Sequence, residues 1–173
     1  AQSARCIPVF IGAAPITLRA MLARHAPETL RPGDVVISND PAVGTGHMFD
    51  LAVMRPVFRD ERLVGYAMSI THLPDIGGMG FSAAATEIYH EGLPLPILKL
   101  AKAGRLEEDI LELIALNVRS PDQVLGDVHA SLAAVAVVSR QLLEAMEEYG
   151  LETLLPLGDA ILGQTEAAVR AAL

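Results

Sequence analysis

Apolar and polar positions divide this chain into a strand-like half followed by a helical half. In the first half the apolar residues come in short runs bounded by proline, glycine and charge. Residues 4–11 read as a short strand interrupted by Pro8, which confines it to an edge or an irregular strand. Pro15 is placed to open a helix, and Ile16, Leu18, Met21 and Leu22 give that helix an apolar face up to about His25. Arg31-Pro32-Gly33-Asp34 is a turn, and Val35-Val36-Ile37 follows as a buried strand. Leu51 to Phe58 and Leu63 to Ile70 form two strands joined at the charged tip Arg59-Asp60-Glu61-Arg62. The stretch 74–96 is rich in Gly and Pro. A connection that long without regular structure is a usual place for function.

The period then changes to that of a helix. Leu106, Ile110, Leu113, Ile114 and Asn117 recur on one helical face. A new helix begins at Ser120-Pro121-Asp122-Gln123, with Ser120 as N-cap, Pro121 in the first turn and Gln123 completing a capping box. Its apolar stripe is Leu125, Val128, Leu132, Val135, Leu142 and Met146, and Gly150 is its stop. A last helix covers roughly residues 157–172. Strands followed by helices predict an α+β (mixed α/β) layered structure, its hairpin- and sheet-rich first half packed on a helical second half.

The 173 residues fit a single domain or a fragment of a larger subunit. Residues 1–100 would be the strand- and loop-rich part and 101–173 the helical part. The chain is 51% hydrophobic, with a mean hydropathy of +0.38. That surplus predicts a packed partner subunit or the remainder of a larger protein. No run of about 18 apolar residues lacks a charge or proline, so no membrane span is expected. A net charge of −8 argues against a nucleic-acid partner, which would call for a basic face. A single cysteine, Cys6, excludes an internal disulfide and fits a cytoplasmic location. The opening Ala1-Gln2-Ser3-Ala4-Arg5 lacks an initiator Met and is not a signal peptide; it reads as the interior of a longer chain.

Candidate chemistry lies in two polar blocks, Asn39 to Asp50 and Thr71 to Gly78, at the two ends of the expected hairpin. His47, Asp50 and His72 converge if that hairpin forms. Two imidazoles and a carboxylate make a mixed N/O site with open positions, suited to Zn, Mn or Fe(II). A lone His-x-x-Asp is weak evidence, because such residues commonly bind local backbone in a turn. His72, closing the return strand, strengthens it. Asp75 can be a fourth ligand, an acceptor that fixes a ligand imidazole, or a general base; the acceptor role is favoured. Asn39-Asp40-Pro41 is an ordinary turn starter, or else it aims Asp40 into the cleft. Glu87 and Glu91 are acid–base candidates or members of a solvated loop. Arg119 can bind an anion or pair with a nearby acid. Gly126, within a helix, costs about 1 kcal/mol against Ala and predicts a close backbone approach. Cys6 reads as a small apolar residue, and His25 and His129 as ordinary helix histidines. Gly77-Gly78-Met79-Gly80 lacks the Lys-Ser/Thr of a phosphate loop, so a nucleotide would bind elsewhere or on a partner.

Several motifs occur in a fixed order: Pro32-Gly33-Asp34, Asn39-Asp40-Pro41, His47-x-x-Asp50, His72-x-x-Asp75-Ile76-Gly77-Gly78, Thr86-Glu87-Ile88-Tyr89, Glu91-Gly92, Asn117-Val118-Arg119-x-Pro121 and Gly126-Asp127. This series resembles the hydantoinase B/oxoprolinase family along the whole chain. The family includes ATP-dependent N-methylhydantoinase B subunits, the C-terminal part of 5-oxoprolinase and acetone carboxylase alpha subunits. Its members are much longer, so the resemblance is to an internal portion. It implies a metal, Mn in the acetone carboxylase branch, at His47, Asp50 and His72. It implies ATP used on an A-type partner subunit in a hetero-oligomer, and hydrolytic ring opening of a hydantoin- or 5-oxoproline-like small molecule. Asp75 and Glu91 would serve catalysis, and Asp40 and Arg119 would contact substrate. The alternatives are acetone carboxylase-like carboxylation of a ketone and a non-catalytic scaffold domain that docks the A-type subunit. The chain departs from many relatives, which carry His where it has Cys6, Phe10 and Leu73.

Overall fold

The computed structural model describes residues 9–44 and 46–173. Its helices are α1 (Val9–Arg24), α2 (Glu108–Asn117), α3 (Pro121–Glu148) and α4 (Leu155–Ala172). Its strands are β1 (Val35–Ser38), β2 (Asp50–Arg59), β3 (Arg62–His72), β4 (Leu98–Lys102) and β5 (Arg105–Leu106). The strands form one sheet in the order β3-β2-β1-β4-β5, with every neighbouring pair antiparallel. The α+β class expected from the hydrophobic pattern is the class observed.

Alternation along the central strands sorts side chains between two faces. Val35, Ile37, Leu51, Val53 and Val57 join the larger core, together with Ile114 of α2 and Val124, Val128 and Val135 of α3. Val36, Ala52 and Met54 point the other way, onto Met21 of α1 and Leu30. The sheet is therefore covered on both faces, and the four residues of β1 are all buried. The long hairpin β2–β3 turns at Asp60 and Glu61, both in the left-handed region with φ of 49° and 63°. Two residues at positive φ match the twist of the flanking strands.

Five local expectations need correction. Val9 to Ile11 are the first turn of α1 and not the end of a strand; residues 4–8, Cys6 among them, lie outside the described residues. Pro15 accordingly sits inside α1, and the apolar stripe through Met21 decides the period there. Leu106 belongs to β5, where it pairs with Ala101, so α2 begins after it. Ser120 does precede α3 and Pro121 does occupy its first turn, but the Ser120 hydroxyl makes no capping bond and the capping box does not form. The chain instead enters α3 through Arg119, which is tied to Asp75. The buried line of α3 runs Val124, Val128, Ser131, Val135, Ser139 and Met146, with Leu125, Leu132 and Leu142 on its flank. Finally, Gly126 is exposed and a Cβ built there would meet nothing among the described residues, so no backbone among them approaches it.

Candidate metal centre

The open end of the β2–β3 hairpin builds the site. Asp50 and His72 are direct cross-strand partners, the last pair of the ladder. Directly opposed residues have their Cβ atoms only about 5 Å apart, so register alone brings carboxylate and imidazole together. The Leu73 N–H donates to Phe49 O at 2.7 Å and extends the pairing by one step. His47 enters from the turn ahead of β2. Its Nε2 lies 3.2 Å from Asp50 Oδ2, while His72 Nδ1 lies 3.1 Å from Asp50 Oδ1. The two ring centroids are 5.2 Å apart. One ligand atom from each of the three residues falls within 4.8 Å of the others, as a shared cation requires. The Asp50 side chain is only 4% exposed, against 32% for His47 and 44% for His72. A buried carboxylate beneath two half-exposed imidazoles leaves the site open on its outer side.

Aromatic rings frame that opening. Phe49 is buried and stacks on His72 at 5.5 Å with an interplanar angle of 18°. Phe81, 77% exposed, stands edge-on to His72 and to Phe49, each at 5.4 Å. Leu73 is fully buried and contributes to the core beneath the site.

Asp75 is not part of the converging set. Its Oδ1 accepts from the Gly77 N–H and from Arg119 Nη1, both at 2.9 Å, and its Oδ2 accepts from the Arg119 N–H. Burial pushes this carboxyl up, but the Arg119 and Gly77 N–H bonds and the guanidinium outweigh it and hold the pKa below the usual value. Arg119 also donates to the carbonyls of Gly77 and Gly78, so it ties α3 to the glycine block that follows His72. Pro74, Asp75, Met79, Gly80, Arg119, Ser120 and Gln123 line an open cleft of about 320 Å³ on this side.

The remaining candidates are placed as follows. Asp40 accepts from the Ala42 N–H at 2.9 Å and closes its own turn. Glu91 accepts from the Met48 N–H at 2.8 Å, beside His47. Glu87 faces His90 at 3.1 Å on the exposed part of the long loop. His25 follows α1, and burial, then the charges of Lys99 and Arg24, lower its pKa. His129 is exposed on α3. Sequence reading did not single out Phe81 or Phe49, and it read Asn39 only as a turn starter. Asn39 is a buried joint between distant segments, donating to Met48 O and Leu93 O and accepting from the Leu95 N–H. No local pattern marks such a residue, because its partners lie far along the chain.

Comparison with known proteins agrees with this arrangement of motifs. Residues 1–173 match the family described as Hydantoinase B/oxoprolinase. Caprolactamase subunit beta of Pseudomonas jessenii is 35% identical over 149 residues, which are 84% of this chain and 26% of that subunit. A crystal structure of the ATP-dependent caprolactamase from that organism superposes with a TM-score of 0.77, at 34% identity over 84% of this chain and 26% of that one. 5-Oxoprolinase 1 of Arabidopsis thaliana is 29% identical, covering 95% of this chain and 14% of the relative. A nucleotide-free acetone carboxylase structure shares the fold, with a TM-score of 0.74 at 20% identity over 86% of this chain and 20% of that one. The chain thus spans about a quarter or less of the length of these relatives. With its whole length matched, the chain belongs to the hydantoinase B/oxoprolinase family.

Proposed function

We propose that this chain is the metal-binding part of a B-type subunit that opens the ring of a cyclic amide, working with an ATP-binding A-type subunit. The observation that carries the reading is the convergence of His47 Nε2, His72 Nδ1 and both Asp50 oxygens at the end of one hairpin. The donor set fits a divalent Mn, Zn or Fe ion: it mixes imidazole with carboxylate, and its outer side is open for a further ligand. When bound, such an ion supplies Lewis-acid polarisation of a carbonyl. In the ring opening, the oxygen of water bonds to the amide carbon, the ring C–N bond breaks, and the nitrogen leaves carrying one of the water's protons.

The protein's own residues hold this reaction in place. Asp50 orients both imidazoles. Asp75, through Arg119, fixes the glycine block on the His72 side, and Glu91 fixes the loop on the His47 side. The Arg119 side chain is 60% exposed and offers an edge to a polar substrate group, with Asp40 on the loop that leads to His47. ATP chemistry is assigned to the partner in this reading, which fits a glycine block without the Lys-Ser/Thr of a phosphate loop. Ring opening is preferred to ketone carboxylation because the sequence identity to a caprolactamase subunit, 35%, exceeds the 26% to an acetophenone carboxylase delta subunit.

The test combines the protein with an A-type subunit, ATP and a lactam, and compares wild type with His72→Ala. The expected result is ATP-dependent ring opening that falls by at least about 100-fold in the variant while the two subunits still copurify. Ring opening without ATP or the A-type subunit, or a His72→Ala variant as active as wild type, would contradict the reading.

A further inference from the structure

Met48 lies between the proposed ligands His47 and Asp50, and its two peptide groups are gripped from opposite directions. Its N–H donates to Glu91 Oε2 at 2.8 Å, and its carbonyl accepts from Asn39 Nδ2 at 2.8 Å. The Met48 side chain is 2% exposed and anchored in the larger core. Asn39 is equally buried and fully employed: Nδ2 also donates to Leu93 O at 3.0 Å, and Oδ1 accepts from the Leu95 N–H at 2.6 Å.

Glu91 reaches Met48 because two segments pack with almost no separation. The Leu93 N–H donates to Ile76 O and the Met79 N–H to His90 O, both at 2.7 Å. Gly77, Gly78 and Gly92 permit this; a Cβ on Gly92 would collide with the Ile76 carbonyl, and one on Gly78 with the His90 carbonyl. The same packing connects Glu91 to the block that starts at His72. The Glu91 side chain therefore bridges the two halves of the site without belonging to the converging set of donors.

We propose that Glu91, with Asn39, is a positioning residue that clamps the Met48 peptide and so sets the distance from His47 to Asp50 and His72. The inference rests on the metal site proposed above and assigns Glu91 a mechanical role in place of a proton-carrying one. Residues that orient a ligand in this way typically govern metal affinity by about 10–100-fold.

The experiment measures Mn²⁺ affinity, and in parallel the hydrogen exchange of the Met48 amide, in wild type, Glu91→Ala and Glu91→Gln. Glu91→Ala is expected to weaken Mn²⁺ binding by about 10–100-fold. It should also speed Met48 exchange by roughly tenfold or more. Glu91→Gln keeps an oxygen that accepts the same N–H, and should stay within about threefold of wild type on both counts. A Gln variant as defective as the Ala variant would overturn the clamp, because the charge or proton would then be what matters. So would an Ala variant with wild-type exchange. The exchange arm needs no metal. A wild type that binds none of Mn²⁺, Zn²⁺ and Fe²⁺, while Glu91→Ala still loses Met48 protection, would refute the metal site and leave the clamp standing.

Discussion

Asp50 and His72 are 22 positions apart, yet they meet because a ladder of antiparallel pairs ends on them. That contact was legible in the sequence: two strand-like runs around a charged tip fix which polar residues emerge at the open end. Asn39, Phe49 and Phe81 were not, because their placement depends on glycine turns and on partners that no local period encodes. Gly92 shows how tight those turns are. It has a φ of +138° and stands against the Ile76 carbonyl. Gly92→Ala should destabilise the fold by about 3 kcal/mol or more, read as a lowered denaturant midpoint. Acid sensitivity is also set residue by residue. Asp34 is 2% exposed and binds Lys99 Nζ at 2.6 Å and the N–H groups of Arg31 and Ala103, both at 2.9 Å. Burial raises its pKa, but these bonds outweigh it, so the folded value lies below the ordinary one. A depressed pKa stabilises the fold above the unfolded value of about 3.9, and that stability is lost as pH falls through the lower folded value. Asp34→Asn should therefore cost on the order of 3 kcal/mol at pH 7 and flatten the decline in stability below about pH 4. Urea midpoints at pH 7 and pH 3 check both effects.

The elements followed the hydrophobic pattern where the pattern was long. The hairpin and α3 lie where period 2 and period 3.6 place them. Among the short runs β1 was read correctly, but β4 and β5, of five and two residues, were missed, and Leu106 fitted the spacing of the neighbouring helix as well as it fitted a strand. Pro15 misled in a similar way, since a proline can open a helix but here lies inside one. Within α3, Gly126 is exposed and has free space where a side chain would go. Gly126→Ala should thus raise stability by about 0.5–1 kcal/mol through the unfolded chain's lost freedom, seen as a higher melting temperature. A decrease would mean that Gly126 meets something beyond these contacts.

At the scale of the whole molecule, the two cores lie on opposite faces of one sheet, and among the described residues α4 joins neither. It has no buried residue, and Leu155, Ile161, Leu162 and Val169 are all more than half exposed. An unsupported helix of this length contributes little by itself in water. Leu151 and Glu152, by contrast, accept bonds from Arg59 at 2.8 and 3.0 Å and belong to the folded body. Truncation after Leu154 should change unfolding free energy by less than about 1 kcal/mol, measured by urea denaturation. Among the helices searched, none is long and apolar enough to cross a membrane.

The central claim is that one hairpin end holds a metal. Elemental analysis of the purified, metal-reconstituted protein, with His47→Ala and His72→Ala alongside, tests it most directly. The account predicts close to one Mn, Zn or Fe per chain in wild type and loss of that metal in both variants. A wild type without metal after reconstitution, or variants that retain it in full, would contradict the account.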